Sequence, residues 1–376
     1  MGERFPCQGE RVQTIPKPRR FLYSAVAFSG SLLLCEILVR LLLGTPWLYP
    51  DKSNEDPLLI PHRTRGYTLR PDQNRRWTNE SFDVEVQTNP QGMRDEPLTR
   101  AVGRDVRIAA AGDSFTFGIG VERDETWSEQ LELKLAGGLD ARSVAVLDLG
   151  VPGYSARQIR LYLEEIWPEF EPQLAIVGLY MSSYWRVRSP YVLTGGTLVS
   201  EPEVRSVEVT PRGNRVITPF RSGPFRSADV WIKERFHLLA HLLHAPRTIK
   251  RWIVSRTKRR GAAQLREAYQ PVLDELIQLH RFVLGKEGQL IVLAINRQEP
   301  DGTFSDDQAI YNEILASFCR TQGIPFVDPL PRLRKMASGR PLFCFPTDIH
   351  WSAAAHRVAA DMLHEEISAQ QLLPAR

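Results

Sequence analysis

Three short segments hold side chains of the types that move acyl groups. Gly112-Asp113-Ser114-Phe115 directly follows an apolar, β-branched run, which puts Ser114 at the carboxyl edge of a sheet, where a serine is placed to act as a nucleophile. Asp348-Ile349-His350 stands just before the last helical stretch. A carboxylate two residues from an imidazole can orient its tautomer and stabilise the imidazolium, which a base that deprotonates a serine requires. Asp148-Leu149-Gly150-Val151-Pro152-Gly153-Tyr154-Ser155 closes a second apolar run with a glycine-containing turn, whose backbone N–H groups can hold an oxyanion. Taken singly, each segment also fits a plainer role: Ser114 and Asp348 as helix caps, His350 as a surface side chain, Gly150 as a turn glycine.

Five short apolar runs must position these segments: Val106–Ala110, Val144–Leu149, Leu174–Leu179, Leu290–Ile295 and Ile324–Val327. Such runs fit parallel strands buried on both faces. Helical patterns separate them, among them TWSEQLELKLAGG, SARQIRLYLEEIW and AIYNEILASFCRTQG, and Ala353 to Ile367 reads as a final helix. This alternation predicts an α/β fold with a doubly wound parallel sheet. Residues 186–262 break the pattern after the third strand, first with a Gly/Pro/Val-rich stretch that suggests hairpins and then with helical sequence. An insertion at the carboxyl ends of the strands is placed to influence substrate choice. Before the first strand, residues 44–80 read as a Pro/Asp/Asn/Arg-rich connector, followed by one edge strand in SFDVEVQT, where Phe82, Val84 and Val86 alternate.

The amino-terminal run FLYSAVAFSGSLLLCEILVRLLL, residues 21–43, is long enough as a helix to cross a ~30 Å hydrocarbon core, and it reads as a transmembrane anchor. Lys17, Arg19 and Arg20 precede it. The positive-inside rule then leaves residues 1–20 as a cytoplasmic tail and puts everything after the span in the periplasm or outside the cell. A cleaved signal peptide and a buried core helix are the other two readings of this run.

The chain of 376 residues is 24% charged and 43% hydrophobic, a composition that excludes a disordered polymer and a coiled coil. Its net charge of +4 is too small to point to a nucleic-acid partner. Cys7, Cys35, Cys319 and Cys344 lack the spacing of a zinc site; Cys319 and Cys344 read as buried thiols or as one bridge. His237, His241 and His244 share a helical face without an obvious carboxylate ligand, and read as a helix surface rather than a metal site. RTIKRWIVSRTKRR, 247–260, fits a solvated face or a contact with anionic headgroups or an acidic polysaccharide.

Four blocks together resemble the SGNH subgroup of the GDSL hydrolases: TNPQGMRDE (88–96), GDSFTFGIGV (112–121), DLGVPGYSARQ (148–158) and DIHWSAAAHRVAADML (348–363). The resemblance covers most of residues 80–367. It implies a flavodoxin-like three-layer domain over 81–370, with Ser114 as nucleophile, His350 as base and Asp348 as its orienting acid. It also implies the Ser114 and Gly150 amides as oxyanion donors, with no cofactor and no metal. One position departs from the family: Ser182 stands where an asparagine that donates to the oxyanion is expected. The expected activity is ester hydrolysis or O-acyl transfer by a membrane-anchored enzyme, on acyl and above all acetyl esters of cell-surface polysaccharides. The competing expectation is a non-catalytic binding or scaffold protein of an envelope polysaccharide assembly.

Overall fold

A computed structural model describes residues 17–42, 58–78, 81–138, 143–181, 191–194, 197–200, 204–209, 215–219, 262–299, 301–345 and 348–373. In chain order the helices are α1 (Lys17–Leu42), α2 (Leu98–Val102), α3 (Ser114–Phe117), α4 (Trp127–Gly138), α5 (Ala156–Phe170), α6 (Ala262–Leu284), α7 (Asp306–Gln322), α8 (Leu330–Ala337) and α9 (Ala353–Ala369). The strands are β1 (Leu59–His62), β2 (Gly66–Leu69), β3 (Asn74–Thr78), β4 (Asp83–Gln87), β5 (Val106–Gly112), β6 (Val144–Gly150), β7 (Leu174–Tyr180), β8 (Tyr191–Thr194), β9 (Thr197–Ser200), β10 (Val204–Val209), β11 (Arg215–Pro219), β12 (Gln289–Ile295) and β13 (Phe326–Val327).

The five apolar runs form one parallel sheet in the order β13-β12-β7-β5-β6. Relative to the order along the chain, the first strand of the sheet lies between the second and the third, which is the flavodoxin-like arrangement. Its topological switch point falls at the carboxyl end of β5. Alternate residues of each strand feed two cores. Ala109 and Ala111 of β5 join Ile159, Leu163, Val272 and Leu315 of α5, α6 and α7 on one face. Val106, Ile108 and Ala110 join Leu131, Leu333, Val358 and Leu363 of α4, α8 and α9 on the other. Helices on both faces explain why the strands lack an exposed polar side.

The chain divides into two compact units, one of residues 1–48 and 222–257 and the other of 49–221 and 258–376. Of the first, only α1 is described. The sheet, Ser114, Asp348 and His350 belong to the second.

Two expectations change. The stretch read as a connector carries three strands: β1 and β2 form an antiparallel hairpin, and β3 pairs antiparallel with β4, the strand expected in SFDVEVQT. Tyr67 and Leu69 of β2 are buried in the core beside Val84 and Val86; with so few residues per strand and so many charges between them, their alternation is too brief to read from sequence. The expected transmembrane span is not found: among the described residues no helix is long and apolar enough to cross a membrane. The hairpins expected in the insertion are present as β8–β9 and β10–β11. Cys319 and Cys344 are free and buried.

Candidate active site

Ser114 is the first residue of α3, the four-residue helix that caps the edge of the sheet. Asp113 is its N-cap and accepts the Phe115 N–H on Oδ1 at 3.1 Å. At this position the Ser114 N–H has no partner within the helix, so it remains available to a ligand. The helix can lie this low because the strands beneath it end in glycine. A Cβ on Gly150 would stand 2.1 Å from the Phe117 nitrogen, and one on Gly112 would stand 1.9 Å from Thr116 Oγ1.

Buried Arg94 fixes the far side of the turn. Its guanidinium donates to the carbonyls of Phe117 (3.0 Å), Gly118 (2.7 Å), Val121 (2.7 Å) and Glu85 (3.0 Å). Burial lowers its pKa from the ordinary value, but a guanidinium remains charged at any relevant pH.

His350 arrives from the opposite end of the chain. The Trp351 indole donates to the Asn296 carbonyl at the end of β12, and Phe115 packs on the imidazole at 5.0 Å between ring centres. His350 Nε2 lies 2.8 Å from Ser114 Oγ, and Nδ1 lies 2.5 Å from Asp348 Oδ1. Burial raises the Asp348 pKa, but the hydrogen bonds and charge of His350 outweigh it and hold the carboxyl below its ordinary value. An ionised carboxylate only accepts, so Nδ1 carries the proton and the Nε2 lone pair faces the serine hydroxyl. The three side chains expected to act together are therefore in contact, across 236 positions of sequence.

Among the described residues, the turn after β6 leaves a different amide unbonded from the one expected. The Gly150 N–H donates to Asp148 Oδ1 at 2.7 Å, because Asp148 folds back over the end of its own strand. It is thus occupied. In the turn that follows, Tyr154 N–H bonds the Val151 carbonyl, Pro152 has no N–H, and Gly153 adopts φ of 84°. Among the described residues the Gly153 N–H has no acceptor. Val151 N–H donates to the Gly112 carbonyl at 3.2 Å, which ties this turn to the one bearing Ser114. The Pro152-Gly153 dipeptide was the available signal for a turn at which φ is positive. Ser182 lies outside the described residues, as do His237, His241, His244 and the basic run 247–260.

Sequence reasoning also passed over a buried carboxylate pair behind the nucleophile. Asp148 accepts Ser128 Oγ at 2.6 Å, and its own N–H donates to Asp95 Oδ2 at 2.7 Å. Burial pushes Asp95 up to about 8 and Asp148 up to about 7. Nearby, His356 is fully buried. It accepts the Trp127 N–H on Nδ1 at 3.1 Å, and burial holds its pKa down at about 3. Among the described residues no group of three His, Cys, Asp or Glu side chains could hold a metal.

No protein-family model and no curated protein matches the sequence. Solved structures do resemble it. An α/β hydrolase enzyme from the metagenome of Lake Arreo, Spain, is 15% identical at a TM-score of 0.41, over 72% of this chain and 98% of its own. A catalytic mutant of an acetylxylan esterase from Geobacillus stearothermophilus is 12% identical at 0.41, over 73% and 99%. A lipolytic protein of the G-D-S-L family from Veillonella parvula is 11% identical at 0.38, over 69% and 97%. Likeness this distant carries no residue role and no substrate across to this chain.

Proposed function

We propose that the chain is an SGNH/GDSL-type serine esterase. The observation that carries this reading is the continuous contact from Asp348 through His350 to Ser114, at 2.5 and 2.8 Å. Ser114 Oγ attacks the ester carbonyl while His350 Nε2 takes its proton, and Asp348 stabilises the imidazolium. The oxyanion of the tetrahedral intermediate rests on the N–H groups of Ser114 and Gly153. Collapse expels the alcohol, which receives the proton from His350 and leaves an acyl group on Ser114. A second hydroxyl then repeats the sequence in reverse. Water in that role makes the protein a hydrolase, and a sugar hydroxyl makes it an O-acyltransferase. The acyl group proposed is acetyl and the substrate an acetylated cell-surface polysaccharide, in line with the four-block resemblance. A scaffold without chemistry has no need of a serine hydroxyl aligned on an imidazole, so the geometry counts against that alternative.

The test is hydrolysis of a short-chain chromogenic acetate ester by the full chain and by Ser114→Ala. Turnover lost in the variant, together with fluorophosphonate labelling of the native protein alone, supports the reading. Equal rates from the two proteins sink it.

Attachment to a membrane is the second part of the proposal. Support comes from α1, where Leu22, Val26, Phe28 and Leu33 are exposed and Leu41 is 75% accessible. Lipid would cover that surface. Recovery of the protein in a carbonate-washed membrane fraction is the expected result, and recovery in the supernatant would reject it.

A further inference from the structure

The β1–β2 hairpin, upstream of every segment that bears a catalytic side chain, reaches the turn that carries Gly153. Tyr67 Oη of β2 donates to the Pro152 carbonyl at 3.1 Å. That carbonyl and the Gly153 N–H belong to one peptide unit, which is planar and, when trans, directs the two groups oppositely. A hydrogen bond on the carbonyl therefore fixes where the N–H points, and it also draws electron density toward the oxygen, which makes the N–H a better donor.

Tyr67 is itself held in place. Tyr154 Oη donates to the Tyr67 carbonyl at 2.6 Å, and the two rings meet edge to face at 5.2 Å. Arg65 donates to Tyr154 Oη at 2.9 Å and to Glu165 Oε2 at 3.1 Å, and stacks 3.8 Å over the Tyr162 ring. Arg65 is 5% exposed. A buried guanidinium bonded to the hairpin, to the turn and to α5 ties these elements together. Gly153 needs such support, because a glycine at φ of 84° has no side chain to restrict its backbone.

We infer that Tyr67 is a positioning residue for the oxyanion site: its hydroxyl, bonded to the Pro152 carbonyl, sets the direction of the Gly153 N–H. The inference rests on the esterase reading. It assigns a role in catalysis to a strand that contributes nothing to the triad.

The experiment compares native protein, Tyr67→Phe, Leu69→Ala and Ser114→Ala on a chromogenic acetate ester, with active sites counted by fluorophosphonate titration. Tyr67→Phe should lower kcat roughly tenfold, less than the 10²–10³ that follows loss of a whole donor. KM and the pH at which activity appears should stay unchanged, since neither substrate contacts nor the base is touched. Affinity for a trifluoromethyl ketone, whose serine adduct carries an oxyanion, should fall by the same factor. Leu69→Ala truncates a buried core side chain of the same strand and leaves the Tyr67–Pro152 bond and its supports in place; it should melt earlier than native yet keep kcat per titrated site within about twofold, a split that a merely structural role of the hairpin would not produce. Native kcat per site and native ketone affinity in Tyr67→Phe, with turnover still dependent on Ser114, would overturn the inference alone. Turnover that survives in Ser114→Ala would overturn the esterase reading and the inference with it.

Discussion

Asp348 Oδ1 receives both the ring Nδ1 of His350, at 2.5 Å, and its backbone N–H, at 2.9 Å. The short Asp-Ile-His spacing thus does two things: it closes a turn and selects the tautomer whose Nε2 can accept from Ser114.

Replacing the carboxylate tests the second of these. Asp348→Asn retains the size of the side chain but loses its charge, and its amide can present a donor to Nδ1, which favours the wrong tautomer. Ester hydrolysis should fall about 10³- to 10⁴-fold in kcat with little change in KM. Steady-state kinetics that show less than a tenfold loss would exclude Asp348 as the partner of the base.

Gly150 is required by packing rather than by its amide. The alanine variant would press a methyl against the Phe117 nitrogen, backbone that cannot swing aside, at an initial 2.1 Å. Gly150→Ala should destabilise the domain by about 1–3 kcal/mol and displace α3, so that both melting temperature and ester turnover fall. A variant that keeps both would show that the sheet edge yields.

Arg94 acts as the clamp behind the nucleophile. Arg94→Met leaves four carbonyl oxygens without their donor, and a loss of about 3 kcal/mol or more is expected in urea denaturation. Arg94→Lys, a single compact donor in place of a planar fork, should fall between the two. Equal stability of Met and native proteins would contradict this account.

Stability should decline as pH rises from about 5 to 8. Asp95 and Asp148 hold their protons in the folded chain to about 8 and about 7, whereas in the unfolded chain carboxylates release them near 4. Between those values the folded state binds more protons, so unfolding becomes easier as pH increases. Asp148→Asn, which has nothing to ionise, should flatten the decline measured by thermal melts across this range. His356 works the other way: its folded value of about 3 lies below the unfolded 6.5, so its contribution is lost as pH falls from 6.5 toward 3.

The sheet was legible because its strands are buried on both faces and so appear as unbroken apolar runs; β5, β6, β7 and β12 fall within two residues of their expected limits. The triad was legible for a similar reason. Ser114, Asp348 and His350 sit at the junctions of strand or loop with helix, where chain direction alone brings them to one edge of the sheet. The strand β4 was legible from the alternation of Phe82, Val84 and Val86, whereas β1, β2 and β3 were not, since four or five residues per strand leave too little alternation to separate from a polar connector.

Order along the chain and side-chain chemistry thus determine the α/β class and bring Ser114, His350 and Asp348, the proposed nucleophile, base and acid, to one place. Which amide of the turn is left unbonded for the proposed oxyanion site was decided only in three dimensions. Gly150 and Gly153 stand three residues apart in one turn and look equivalent as letters, but the Asp148 carboxylate captures the first N–H, and the Tyr67 hydroxyl, 85 positions away from Pro152, orients the peptide of the second. Hydrogen bonds between residues so distant in sequence leave no local pattern, and only the packed fold brings their partners together.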